Sequence, residues 1–308
     1  MHYAKSRFSH LARLGLAMLA FLATPVLAAN GDPVEIGARI EAFGVQSDLT
    51  MEDGDDFDSS GFGIRGDVSA TVKASTRTEI TIDVDAGVFD YEGDSRGTLE
   101  TVGAALAVTH KLSDSVELRV RARRVENIAV LEAFSADQTS AAARLEWTQG
   151  DNRIRVEGEY REREYDTVDQ GHSKGYRFSA QYNRRIGPYH WFRIDARAEK
   201  MSSDDDTRRS FDRRVVEMKY SLPVAKRLRL RPSVEYREWA YDDRVAVGDP
   251  QGDLREDSYV APAIELAWGR DGRGPYAQAS AEYRFRESND TRYTQDGARV
   301  GIKLGYRF

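Results

Sequence analysis

The sequence of 308 residues contains no cysteine, 40% hydrophobic and 31% charged residues, and a formal net charge of -6, a length that ordinarily builds one large domain or two modest ones. Outside residues 11–28 no window approaches the 18 or more apolar residues of a spanning helix, and a mean hydropathy of -0.61 excludes a helical bundle in lipid. The missing cysteines exclude a lipoprotein anchor, disulfides, zinc fingers and thiol chemistry, whereas strands that turn every second residue to lipid average out polar and stay open as a reading.

The first element is an export signal. Lys5, Arg7 and Arg13 precede an apolar run over 14–27, and Val26 and Ala28 put short side chains where a signal peptidase reads. Residues 1–28 are therefore expected to be removed, leaving one domain over 29–308. That mature chain has 42 Lys and Arg against 51 Asp and Glu, a net charge of -9, which disfavours nucleic acid as a partner.

From Val34 onward apolar and polar residues alternate with period 2, in runs of 10 to 13 residues broken by turn-rich stretches. In the first run Val34, Ile36, Ala38, Ile40 and Ala42 share one face, and Glu35, Gly37, Arg39 and Glu41 the other. The second sets Phe62, Ile64, Val68, Ala70 and Val72 against Arg65, Asp67, Ser69 and Lys73. Further runs begin near Thr78, Thr98, Val116, Thr139, Arg153, Tyr176, Trp191, Arg213, Arg227, Ser258, Tyr276 and Ala298, which predicts about 14 strands. A soluble β-sandwich also alternates, but its strands are usually about five or six residues long, and a tilted strand needs about 9 to 11 to cross a bilayer. The connections support the membrane: long ones over 46–59, 92–97, 126–138, 167–175, 202–212, 242–257 and 287–297 interleave with short ones over 74–77, 112–115, 149–152, 186–189, 223–226 and 270–274. The pattern predicts a closed antiparallel transmembrane β-barrel with short periplasmic turns and long extracellular loops. Trp147, Tyr189, Trp191, Trp268, Tyr276 and Phe308 near the short turns, and Phe43, Phe62, Tyr91, Tyr165, Trp239, Tyr241 and Tyr259 near the long loops, are expected to form two aromatic belts at headgroup height.

The last run places Ala298, Val300, Ile302, Leu304, Tyr306 and Phe308 on one face and ends on Phe308. It resembles the closing strand of bacterial outer-membrane β-barrels, and the strand count with a mature length near 280 looks like the monomeric fourteen-stranded porins. The resemblance implies residence in the outer membrane of a Gram-negative bacterium among lipid and lipopolysaccharide, an assembly machinery that reads the strand ending at Phe308, and a monomer.

With the apolar face in lipid, the charged face lines a lumen. Roughly 26 Lys or Arg and roughly 17 Asp or Glu fall on it by the alternation rule, so the wall is expected to be net positive. Arg119, Arg121, Arg153, Arg155, Arg193, Arg227, Arg229 and Arg231 concentrate toward the periplasmic ends, with Arg185, Lys303 and Arg307, while Glu157, Glu159, Glu199 and Glu235 lie further up. Such arginines either grip anions or pair with acids on neighbouring strands as wall struts. The outer loops carry acids: Asp53, Asp55, Asp56 and Asp58, then Asp204, Asp205 and Asp206, then Asp242, Asp243, Asp249, Asp253 and Asp257. They serve as a solvated surface or bridge to anionic headgroups through cations. Asp56, Asp58, Ser60, Gly61 and Asp67 match a calcium-loop spacing, but strand alternation claims 62–67, so no metal is expected. Neither is a cofactor, for lack of a phosphate loop or metal cluster.

His172 beside Asp166, Asp169 and Ser173 is the best candidate for catalysis, and no catalytic residue is assigned. The third long connection, with Ile128, Val130, Leu131 and Phe134, is too apolar for solution and either folds into the lumen or extends its strands. The chain is thus expected to be a passive channel for small or anionic solutes, acidic saccharides or an exported polyanion among them. A surface barrel enzyme acting on lipid or peptide, and a secretion or adhesion barrel with a periplasmic partner, are the alternatives.

Overall fold

Alternation in a closed sheet leaves each residue two destinations, lipid or interior, and the computed structural model shows that choice made along the whole wall. It describes residues 34–49, 59–92, 97–130, 133–166, 171–188, 190–204, 209–269 and 272–308. The predicted leader, Asp53 to Asp58, Leu131, Asp169, Tyr189, Asp205 and Asp206 lie outside them. Fourteen strands run β1 Val34–Ser47, β2 Gly61–Lys73, β3 Thr78–Tyr91, β4 Thr98–Lys111, β5 Val116–Val130, β6 Ala133–Gln149, β7 Asn152–Tyr165, β8 His172–Arg185, β9 Trp191–Ser203, β10 Phe211–Ala225, β11 Leu228–Val245, β12 Leu254–Gly269, β13 Gly274–Ser288 and β14 Gly297–Arg307. Each pairs antiparallel with its neighbours in sequence, and β1 pairs with β14, so the sheet has no free edge.

The outer face is apolar and open. Ile40, Ile64, Ile82, Leu106, Val120, Leu145, Val156, Phe178, Ile264, Ile302 and Leu304 are all exposed, which for a wall of this length marks the lipid band. The expected aromatic belts need correction. Phe62, Trp147, Trp268 and Phe308 do face outward, but Phe43, Tyr91, Tyr165, Trp239, Tyr241, Tyr259 and Tyr276 are buried, and Trp191 points inward beneath the guanidiniums of Arg193 and Arg231. The upper rim of the lipid face carries Phe62, Tyr160, Tyr176, Phe178, Tyr236, Tyr283 and Phe285 instead. One residue of register decides between the two faces, and a reading that used only nearness to a loop ignored that parity.

Glycines let side chains reach over a strand. Tyr276, Gly305 and Glu41 lie in register on β13, β14 and β1, and the Tyr276 hydroxyl donates to Glu41 Oε2 at 2.8 Å across the seam where the barrel closes. A Cβ on Gly305 would fall 2.3 Å from that ring. Phe43, Gly63 and Phe89 are in register likewise, and the two phenyl rings stack over the glycine with centroids 5.5 Å apart.

Two of the expected long connections are largely strand. β5 and β6 extend to Val130 and Ala133, with a register shift between Val125 and Ile128 at Asn127, whose φ is +58°. Past this bulge the hairpin turns inward. Ile128 and Val130 pack with Val125, Ala136 and Tyr165, and Ala129 packs with Phe43, Phe89 and Tyr91 of β1 and β3. The apolar connection is therefore both strand extension and lumenal fold. On the other side β11 runs to Val245, and Asp257 is no loop acid: it is 3% exposed inside β12. The loops 246–253 and 289–296 join there, Thr291 donating through N and Oγ1 to the Val247 carbonyl at 3.0 and 3.1 Å. Asp290 accepts from Arg292 Nε at 2.9 Å and Nη2 at 2.6 Å, and this guanidinium holds its carboxyl well below the ordinary range.

Replacing Gly305 by Val is expected to drive the Tyr276 ring off the seam, at about 1–3 kcal/mol, lowering the temperature at which the unheated folded gel band is lost. Tyr276→Phe, which takes one donor from a buried carboxylate that keeps Arg65, should cost about 1.5–3 kcal/mol by the same gel. Because the Asp290 carboxyl is depressed when folded, its tie is present above the unfolded value of about 3.9 and lost as pH falls through the folded one. Asp290→Asn should therefore open 289–296 to added protease at neutral pH, where the wild-type loop resists.

Candidate functional site

The interior is built in two levels by the same alternation. Along β7 the burial pattern places Arg155, Glu157, Glu159, Arg161, Arg163 and Tyr165 inside and Ile154, Val156 and Tyr160 outside. By this parity, leaving out the splayed end of β11 beyond Tyr241, 27 Lys and Arg and 17 Asp and Glu point inward from the fourteen strands.

The outer level is filled. Glu199 on β9, its side chain fully buried, meets Arg161 of β7, Arg177 of β8 at 3.3 Å and Arg213 of β10 at 2.5 Å. Glu159 links this group to Arg177 at 3.6 Å and Arg121 at 3.7 Å. Aromatic faces cover the guanidiniums: Arg213 lies over Phe211 and Trp239, Arg237 over Trp239 and Tyr259, and Arg284 over Tyr259. Arg255 lies over Tyr241 and Tyr293, and Asp257 binds it together with Arg286 at 3.2 Å and the Ser288 hydroxyl at 2.6 Å. Guanidinium planes stacked on rings lose little hydration while remaining charged.

Toward the short turns the wall is looser and more basic. Of the arginines expected there, Arg119 reaches Asp83 at 3.8 Å, and Arg121 reaches Glu159. Arg153 and Arg155 share Glu146, Arg153 at 3.2 Å. Arg193 binds Asp195 at 2.7 Å and nears Glu217 at 3.8 Å, and Arg231 binds Glu265 at 2.7 Å. Arg227 is the exception: it sits in the turn before β11 with φ +63° and is exposed, so it belongs to the periplasmic lip. There it lines a small cavity of about 40 Å³ with Arg229, Arg231 and Arg307. Like charges also meet across neighbouring strands, as Arg119 opposite Arg144, Arg193 opposite Lys219 and Arg39 opposite Arg307. Acids oppose one another elsewhere, as at Asp195, Glu217 and Glu235, so charge lies in bands and pairs form largely along the diagonals.

Sequence reasoning missed Arg123, which binds Asp85 Oδ1 and Oδ2 through Nη2, each at 3.1 Å, reaching over Gly103. The glycine facing Asp85 in register was the available signal. The suspected catalytic group does not assemble. His172 is exposed and Ser173 is buried, on opposite faces of β8, and both Asp166 oxygens accept from Ser135, at 3.0 and 2.9 Å. Among the described residues no group of three or more His, Asp or Glu could hold a metal ion.

In sequence the chain matches neither a protein-family model nor a curated protein. In structure it is similar to a loop-deletion mutant of OmpT, an outer membrane protein of Vibrio cholerae, with TM-score 0.54 at 12% identity, covering 90% of this chain and 100% of that one. It is also similar to the outer membrane channel DcaP of Acinetobacter baumannii (0.51, 11%, 89% and 97%) and to an anion-selective porin from Comamonas acidovorans (0.50, 7%, 89% and 99%). The fold is that of Gram-negative outer-membrane β-barrels.

Glu199→Gln removes the counter-charge shared by three inward arginines and is expected to destabilise the barrel by on the order of 3–5 kcal/mol. Glu238→Gln, which loses an exposed pair with Arg214 and the charge on an exposed acceptor of the Tyr236 hydroxyl, should change stability by less than about 1 kcal/mol. Thermal melts of both variants in detergent check the contrast.

Proposed function

We propose that this protein is an outer-membrane channel, a monomer surrounded by lipid and lipopolysaccharide, that passes small anionic solutes along an arginine-rich inner wall. The observation that carries the reading is the surplus of inward cations, 27 against 17 acids. Pairing relocates charge, but it cannot cancel an excess of one sign. In a lumen walled by a low-dielectric sheet that excess raises the local concentration of anions, more so at low ionic strength. The fold shared with a channel and with an anion-selective porin supports the same reading. The filled outer level and the inward hairpin favour a narrow path and small solutes over a wide unselective pore. The exposed Phe308, whose N donates to the Ala38 carbonyl at 2.9 Å, is open to an assembly factor that reads a terminal aromatic. No catalytic assembly among the described residues favours an enzyme instead.

Planar-bilayer recordings test this. Wild-type channels in a salt gradient should show a zero-current potential of anion preference. Replacing Arg153, Arg155, Arg229 and Arg231 by Gln should shift it severalfold in permeability ratio toward cations, most at about 0.01 M salt, where the screening length is about 30 Å. Glu146 and Glu265 lose their partners in that variant and add to the shift. A cation-preferring wild type, or a potential the four changes leave in place, refutes the reading.

A further inference from the structure

Between the inward hairpin and the wall of β1 to β5 lies a cavity of about 310 Å³, roughly ten water molecules' worth of space. Its lining combines three kinds of group. Arg39, Arg65, Arg121 and Arg123 supply guanidiniums, Asp67, Asp83, Asp85 and Thr101 supply acceptors, and the stacked Phe43 and Phe89 supply an apolar wall, with Val125 and Ile128 of the hairpin beside it.

These groups are not equally engaged. Arg39 hydrogen-bonds Asp67 at 2.6 Å and Arg65 hydrogen-bonds Glu41 at 2.9 Å, so both are tied into the wall. Arg121 has only the ion contact with Glu159 at 3.7 Å, and Asp83 only that with Arg119 at 3.8 Å, both too long for a hydrogen bond. Arg123 touches Asp85 through one terminal nitrogen. The wall thus offers a pair of neighbouring cations two residues apart on one strand, and an acid and a hydroxyl with capacity left, while the buried Phe43 and Phe89, stacked on each other with Arg65 over Phe43, close one side of the space. Guanidinium forks match a carboxylate, and carboxylate and hydroxyl oxygens accept sugar hydroxyls.

We infer that this cavity is a binding station for one acidic sugar residue. The sugar carboxylate lies on Arg121 and Arg123 and its hydroxyls on Asp83 and Thr101. The inference rests on the proposed channel for its route of supply, but binding itself requires no conduction. The station sits on the β1 to β5 side, away from Arg153, Arg229 and Arg231, so attraction of anions and recognition of a sugar fall on different residues.

Titration calorimetry on the detergent-folded full chain separates the two. A trimer of galacturonate should bind saturably, maltotriose at least tenfold more weakly, and Arg121→Gln should weaken the acidic trimer at least tenfold and Thr101→Val severalfold. Arg124→Gln, on the lipid face, should leave binding unchanged. Arg121 has no hydrogen bond to lose, so its variant should retain the heat-modifiable gel shift. Equal binding of the two trimers, no binding, or binding indifferent to Arg121→Gln overturns the station. The zero-current potential stands or falls independently of all three results.

Discussion

Closing fourteen antiparallel strands on themselves divides every residue between lipid and interior, and the rest of this molecule follows from that division. Hydrocarbon accepts no unpaired backbone group, so the ladder must be continuous, and the seam of β1 with β14 carries that obligation. It also leaves no third place for charge. A wall rich in arginine on every second position must gather its guanidiniums inside a tube, where each needs a carboxylate, a ring face or water. The Tyr276 to Glu41 bridge over Gly305 shows the two demands met together, since it closes the seam and satisfies an inward acid in one contact.

The two levels of the interior solve the crowding differently. Near the outer mouth, rings and acids enclose the guanidiniums: Arg161, Arg213 and Arg255 are at most 2% exposed. Breaking such a buried pair from one side is costly because the surviving charge has no water to turn to. Near the turns the pairs are wetter, Arg153 and Arg193 being 47% and 30% exposed, and cations oppose cations, as Arg119 and Arg144 do. Opposed like charges in a sheet destabilise by some tenths of a kcal/mol, a cost that water and mobile anions reduce. Rigidity therefore resides in the outer level, and electrostatic bias in the inner one.

The class of fold was legible in the sequence because alternation is local: Val34 to Ala42 reveal their face without knowledge of any partner. Strand number and the inward surplus of arginine followed from the same rule. What parity alone left hidden was long-range. Phe43, Tyr165 and Trp239 look like belt residues until their register places them inside, and the third connection became strand because Ile128 and Val130 found an apolar seat on distant walls. Arg227 was assigned to a strand that begins one residue later. Asp85 with Arg123 and Phe43 with Phe89 span two strands, and only a glycine on the strand between, invisible to a hydropathy pattern, permits them.

That hidden layer is also what separates structural from functional charge. Counted along the chain, Arg161 and Arg121 are equivalent inward arginines on neighbouring stretches of the wall. In the barrel, Arg161 is enclosed against Glu199, while Arg121 holds Glu159 only at 3.7 Å. A guanidinium already satisfied must break a bond before it can greet a solute, and the exchange gains little. One held loosely keeps its donors and its charge for the solute. In such a wall the excess of cations sets the bias toward anions, and the arginines that the fold leaves loosely held set where an anion is gripped.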